Sequence, residues 1–249
     1  MDNRFIIITP LYNVEQWVHL CIRSVLNQEY DNYLFYLIDD ISTDNSRDII
    51  KREIEGLDNV VLVSNTEKKY ALKNISDTLA SIDVCDEDIV VILDGDDWLS
   101  SKRVLSTIND VYLEKDCWMT YGSYVEYPSG TRGKFAKKIP DSIIEDATYR
   151  QSEWMSSHLR TFKYKLWKKI NQEDFIFSKT GRFIKAAWDL AFVFPMLEMS
   201  AHRALYLSDI LYIYNRSNPL NEDKVDHSSQ LAEEMEVRAK KRYERLEAL

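Results

Sequence analysis

The chain has 249 residues, 45% of them hydrophobic, and a formal net charge of -9. That much apolar material can bury a sizeable core and excludes a wholly disordered chain. The acidic balance excludes a general nucleic-acid binder, which needs a dominant basic surface to neutralise phosphates.

The three cysteines, Cys21, Cys85 and Cys117, are far apart and make neither a zinc pattern nor a disulfide framework, so a reducing compartment is expected. The opening stretch MDNRFIIITPLYN carries an apolar run too short for a signal-peptide core or a membrane span, and no later run reaches the ~18 residues of a spanning helix. A cytoplasmic protein with no transmembrane segment is the expectation.

Taken in order, Phe5 to Thr9 is a continuous apolar run, as expected of a strand covered on both faces. Val14 to Gln28 follows with Val14, Val18, Ile22, Val25 and Leu26 on one helical face. The alternation repeats: strand at Tyr33 to Ile38, helix at Asp44 to Glu55, strand at Val60 to Val63, helix at Tyr70 to Ile82, strand at Ile89 to Leu93. This order predicts an α/β fold with a mostly parallel central sheet flanked by helices.

The pattern changes near Cys117. CWMTYGSYVEY alternates like a strand, and PSGTRGKFAKK is a basic loop. Helices are expected within Arg150 to Ile170 and at Trp188 to Met199, with a strand at Ala204 to Tyr214. Ser229 is placed to cap a last helix whose Leu231, Met235, Ala239, Tyr243 and Leu246 form a stripe expected to dock on the main body.

In open sheets of this kind ligands bind outside the carboxyl ends of the strands. The polar clusters TPLYN, DDISTDNS and DGDD each follow a predicted strand, so they should converge on one crevice. Asp94 and Asp96, either side of Gly95, are spaced to direct oxygens at one hard cation, Mn²⁺ or Mg²⁺, with substrate phosphates completing the shell. An ordinary Asp-Gly turn with a helix cap is the alternative for the same residues.

TPLYNVEQWVHLCIRSVLNQEYDNYLFYLIDDISTDNS resembles the opening of the family-2 glycosyltransferases of GT-A fold, and ILDGDDWLSSKRV resembles their D-x-D segment. The resemblance is detailed over the first half and looser beyond it. It implies a Rossmann-like nucleotide-sugar donor half at 1–116, an acceptor half at 117–227 and a C-terminal helix at 228–249, within one GT-A domain. By the same resemblance Pro10, Leu11 and Tyr12 line the nucleoside pocket and Asp39 accepts a hydrogen bond from the base. Asp94, Gly95 and Asp96 face ribose and diphosphate, with Asp94 and Asp96 as metal ligands.

The base of an inverting transfer is expected at Asp189, in the place of the family's acidic pair, although its first acid is replaced here by Trp188. Trp98 and Trp188 are flat enough to carry a sugar face. Lys69 or Lys73 and Arg216 are further candidates for nucleotide contacts, while the basic cluster Arg160, Lys163, Lys165, Lys168 and Lys169 reads as a solvated helix face. His227 is left outside the metal set.

One departure stands out: Ile41 occupies the family's glycine place, and a β-branched residue is strained there if the backbone needs positive φ. The implied activity is metal-dependent transfer of a sugar from a nucleotide diphosphate sugar, UDP favoured, to a glycan or other hydroxyl acceptor, with inversion expected and retention, which would not need Asp189 as a base, the alternative. A silent nucleotide-sugar or glycan-binding module and a sugar-nucleotide nucleotidyltransferase are the alternatives, the latter weakened because TPLYNVEQ has no glycine to cradle phosphate. The second half also resembles compact enzymes of bacteria and large DNA viruses.

Overall fold

The structure, a computed structural model, describes residues 2–220, the backbone of 227–229, and residues 230–249. The four apolar runs of the first half become β1 (Phe5–Leu11), β2 (Tyr33–Asp39), β3 (Val60–Ser64) and β4 (Ile89–Ile92), paired in parallel in the order β3-β2-β1-β4. Their crossovers hold α1 (Val18–Leu26), α2 (Ser46–Glu53) and α3 (Tyr70–Ser81).

The period of two along β1 divides the core. Phe5 and Ile7 pack with α1, α2 and α4 (Val104–Glu114), whereas Ile6 and Ile8 face α3 and the long helix α7 (Trp188–Ser200). Each of these side chains is wholly buried, which stabilises the fold by roughly 1.5–3 kcal/mol per side chain. Helix α7 has no polar face because it is enclosed nearly all round, and it tolerates Pro195 within it.

The sheet continues through the second half in the order β4-β7-β6-β10-β5. Here β5 is Trp98–Leu99, β6 Met119–Tyr127, β7 Arg160–Lys163 and β10 Ala204–Asn215. Strands β6 and β10 are parallel, and β7 runs antiparallel between β4 and β6. Residues 93–97 alone separate β4 from β5, yet the two strands stand fourth and eighth in the sheet, so the sheet curls.

Short pieces fill the remainder: α5 (Asp141–Asp146), α6 (Tyr164–Trp167) and a hairpin of β8 (Ile176–Phe177) and β9 (Arg182–Phe183). The helix expected within Arg150 to Ile170 is therefore corrected to a central strand and one short helical turn. In β7 Phe162 enters the α7 side of the core, while the Thr161 hydroxyl on the opposite face meets those of Tyr112 (3.0 Å) and Thr120 (2.6 Å). Those hydroxyl bonds reward a period of two that the basic sequence around them hides.

The last helix, α8 (His227–Ala239), is present, but its expected docking stripe is not. Leu231 and Met235 are 54% and 64% exposed, and the residues turned inward are Glu233 and Val237. Tyr243 and Leu246, beyond the helix end, do pack on the core. No helix among the described residues is long and apolar enough to cross a membrane.

Candidate functional site

The acidic turn after β4 is closed by the Asp97 N–H donating to the Asp94 carbonyl at 3.0 Å. Gly95 is required by proximity: a Cβ there would lie 2.4 Å from the Leu11 Cβ, so the turn rests on the end of β1. Asp97 is buried and accepts from the Tyr212 hydroxyl at 2.6 Å and the Asn215 N–H at 2.7 Å. The third carboxylate of DGDD thus ties the turn to β10.

Asp94 and Asp96 remain partly exposed. Asp96 Oδ2 accepts from Asn218 Nδ2 at 2.6 Å, and the Asp94 N–H donates to the Tyr212 hydroxyl at 3.3 Å. Loss of water pushes the Asp94 carboxyl up to about 7; Arg160 opposes this, while Asp96 and Asp189 add to it. Burial, followed by Asp96 and Asp94, likewise raises Asp97. Crowded carboxylates of this kind are what a divalent cation relieves, and oxygen donors suit Mg²⁺ or Mn²⁺. Among the described residues no three His, Cys, Asp or Glu side chains gather as a metal group.

At the ends of β1 and β2, Asp39 is wholly buried: Oδ2 takes a forked bond from Arg47 (2.6 and 3.0 Å) and Oδ1 accepts from the Ser42 N–H at 3.2 Å. Its neighbour Asp40 escaped the sequence reading. Burial raises its pKa, but the N–H groups of Lys69 and Tyr70 and the Asn65 amide outweigh that and hold it below the ordinary value. Asp40 thereby supplies the start of α3 with a carboxylate.

Tyr12 is exposed at the rim, with Lys68 Nζ 3.0 Å from its ring centroid. Burial lowers the Lys68 pKa, against the attraction of Asp40. Lys68, rather than Lys69 or Lys73, is the lysine against this tyrosine; both of the others pair with Asp77. Ile41 adopts φ 60°, so the strain anticipated at the glycine place is present. The loop is held across the chain by the Asn13 N–H on Ser42 Oγ (2.9 Å) and the Thr43 N–H on Asn13 Oδ1 (2.8 Å).

Asp189 lies in the first turn of α7, with Oδ1 accepting from the Leu190 N–H at 2.9 Å and Oδ2 from Arg160 Nη1 at 2.5 Å. Arg160 is 1% exposed, which corrects its reading as part of a solvated helix face. Its Nη2 meets His158 Nδ1 at 3.1 Å, and its guanidinium lies 5.5 Å from the Trp188 ring. Burial, with Arg160 adding to it, holds the His158 pKa well below its usual range, and the ring stacks on Tyr212 at 4.5 Å. Of the other cluster members, Lys163, at the end of β7, and Lys165 pair with Glu87 with side chains only 20% and 18% exposed, and the more exposed Lys168 pairs with Asp86.

Trp188 is buried against Phe192 and offers no free face. Trp98 is partly exposed and meets Tyr127 edge-on at 5.2 Å. The Arg216 guanidinium lies 5.7 Å from the Tyr214 ring. The side chain of His227 lies outside the described residues.

Tyr12, Asp94 and Asp96 thus meet at the carboxyl ends of β1 and β4, with Asp39 beside them beneath the surface. Residues 6–190 match the sequence profile of Glycosyl transferase family 2. The chain belongs to that family. Among its relatives, the glycosyltransferase GlyG of Streptococcus pneumoniae is 27% identical over 226 residues, covering 87% of this chain and 72% of GlyG.

Among solved structures, Staphylococcus aureus TarS 1-349 in complex with UDP-GlcNAc superposes with TM-score 0.66 at 19% identity, covering 89% of this chain and 61% of that one. The mannosyltransferase PcManGT of Pyrobaculum calidifontis, in complex with GDP-Man and Mn²⁺, gives 0.55 at 18% identity, covering 86% and 57%. These likenesses establish the GT-A fold for this family-2 glycosyltransferase. They are to bacterial and archaeal proteins and give no support to the viral likeness.

Proposed function

We propose that this glycosyltransferase moves a sugar from a nucleotide diphosphate sugar, with UDP favoured, onto a hydroxyl acceptor, with inversion at the anomeric carbon. The observation that carries the reading is the nearness of two acidic groups: the Asp94–Asp96 turn at the strand ends, and Asp189 close enough to Arg160 and Asp94 for all three to interact. The UDP-GlcNAc complex of TarS supports the choice of UDP.

In this reading Tyr12 and the backbone of Pro10 and Leu11 line the nucleoside pocket, with Asp39 beneath it. Asp94 and Asp96 would hold a divalent cation, which when bound would supply positive charge to stabilise the diphosphate leaving group. The presence of Mn²⁺ with PcManGT agrees with such a group.

On the acceptor side, the attacking hydroxyl oxygen forms the new bond to the anomeric carbon as the bond to diphosphate breaks, and the electron pair leaves with the diphosphate. Asp189 takes the hydroxyl proton. Both its oxygens already accept one hydrogen bond, yet each keeps a second lone pair, and the side chain is 22% exposed. An Asp189 side chain turned into the core would favour a silent binding module; its 22% exposure supports the catalytic reading instead.

The test is a thermal-shift and hydrolysis screen of UDP-, GDP-, CMP- and dTDP-sugars with Mn²⁺, with Mg²⁺ and with chelator, run beside Asp96→Asn. A UDP-sugar that raises Tm and is hydrolysed only with metal, and not by the variant, is expected. A donor handled equally well in chelator defeats the metal assignment, and silence toward every nucleotide sugar defeats the donor site.

A further inference from the structure

Helix α7 begins without a side-chain cap of its own. Its N-cap residue is Ala187, and nothing local accepts the donors that precede the helix. The acceptor comes from the last helix: Glu233 Oε2 accepts from the backbone N–H groups of Lys185 (3.0 Å), Ala186 (2.6 Å) and Ala187 (3.2 Å). Glu233 is only 6% exposed, on a helix whose Leu231 and Met235 face solvent. An inward glutamate beside outward apolar residues is an inversion of the usual pattern, and the bonds it makes account for it.

The residues held this way lead directly into Trp188 and Asp189. Asp189 Oδ1 is itself bonded to the α7 backbone, and Oδ2 to Arg160. The carboxylate is therefore fixed relative to the first turn of α7, and whatever moves that turn moves the carboxylate. A displacement on the order of 1 Å in a reacting group can cost about 10²-fold in rate.

We infer that Glu233 is a positioning residue for transfer: by gathering the N–H groups of residues 185–187 it sets the first turn of α7 and so the place of Asp189. The last helix is then part of the apparatus that aims the base. This inference rests on the assignment of Asp189 as base.

The rest of α8 is anchored separately, which makes the claim testable. Arg238 donates to the carbonyls of Arg150 (2.8 Å) and Ser152 (3.0 Å), and Ser178 donates to Glu236. Removing Arg238 loosens the helix without touching residues 185–187.

The experiment compares Glu233→Ala, Glu233→Gln, Arg238→Ala and Asp189→Asn in the full chain. Amide exchange at residues 185–190, the Kd of UDP with Mn²⁺, and kcat with the UDP-sugar taken from the donor screen are measured for each. Glu233→Ala is expected to raise exchange at 185–187 at least tenfold and lower kcat at least tenfold, with the UDP Kd within twofold of wild type. Glu233→Gln, which keeps one accepting oxygen, recovers part of both and serves if the alanine variant fails to fold.

Arg238→Ala is expected to lower Tm while leaving exchange at 185–187 and kcat near wild type. Unchanged protection or unchanged kcat in Glu233→Ala overturns the inference, as does an equal loss of kcat in Arg238→Ala. If Asp189→Asn turns over like wild type, the base assignment itself fails, and with it the inference, whatever Glu233→Ala does. If wild type turns over no UDP-sugar, the proposed activity fails, while unchanged protection in Glu233→Ala would independently show that the glutamate does not hold the turn.

Discussion

Arg160 and Asp189 form an ion pair in which the cation is buried and the anion reaches solvent: Nη1 lies 2.5 Å from Oδ2, with side-chain exposures of 1% and 22%. A guanidinium enclosed at this depth is expensive unless its donors are used; here one arm serves Asp189 and the other His158, while Nε has no partner among the described residues. Arg160→Met should lower stability by about 1–3 kcal/mol, because Asp189 and the neighbouring Asp94 lose their nearest positive charge. Arg160→Lys should recover little, since an ammonium cannot fork between the two partners. Urea unfolding of the three proteins decides this, and a lysine variant as stable as wild type would reject the forked role.

His158 gives a pH dependence whose sign can be worked out. The ring is flanked by Arg160, Tyr124, Tyr212 and Tyr214, and burial holds its folded pKa well below the ordinary histidine value of about 6.5. Below that value the unfolded chain binds a proton that the folded chain does not, so the neutral ring costs stability as pH falls, by at most about 1.4 kcal/mol per pH unit. Between pH 7.5 and 5.5 wild type should lose roughly 1 kcal/mol more than His158→Gln. Parallel pH curves would show that the ring takes up its proton in the folded state.

Ile41 sits at φ 60° with a branched Cβ. Ile41→Gly should relieve more strain than it adds in chain entropy, for a net gain of roughly 0.5–1 kcal/mol. For a chain of this size that corresponds to a rise in Tm of about 1–4 °C. A lower Tm would mean that the isoleucine side chain contributes more through packing than its backbone costs.

Gly95 leaves no room for a methyl group against Leu11. Gly95→Ala should push the acidic turn off the end of β1, costing about 1–3 kcal/mol and weakening nucleotide binding in the same variant. Calorimetric titration with UDP and Mn²⁺ alongside thermal unfolding would separate the two effects, and binding at wild-type strength would show that the turn tolerates the shift.

The half of the fold built from β1 to β4 was legible because each strand is an unbroken apolar run and each crossover carries a clear amphipathic face. The strand-end positions of Tyr12, Asp39, Asp94 and Asp96 follow from the same pattern. What was missed has a common physical cause. Arg160 and Glu233 are charged residues turned inward, toward Asp189 and the backbone of residues 185–187, partners 29 and 46 to 48 residues away. A pattern read along the chain assigns such residues to the surface, and so β7 was taken for a helix and the inward side of α8 for its outward one. Asp40 was overlooked beside Asp39 because identical neighbours in sequence point to different work: one meets Arg47, the other the start of α3.

The curl of the sheet fixes the length of the acidic turn. Four strand spacings of a flat sheet would put β4 and β5 about 19 Å apart, but a chain folded into a turn across residues 93–97 spans at most about 17 Å. The turn therefore works like the tie-rod of a vault: it draws the fourth and eighth strands together and keeps the arc from opening. Its residue count is a dimension of the architecture as well as a property of the site. An added residue would slacken the arch before it altered any charge, and the carboxylates would drift from the strand ends with their chemistry intact and their aim lost.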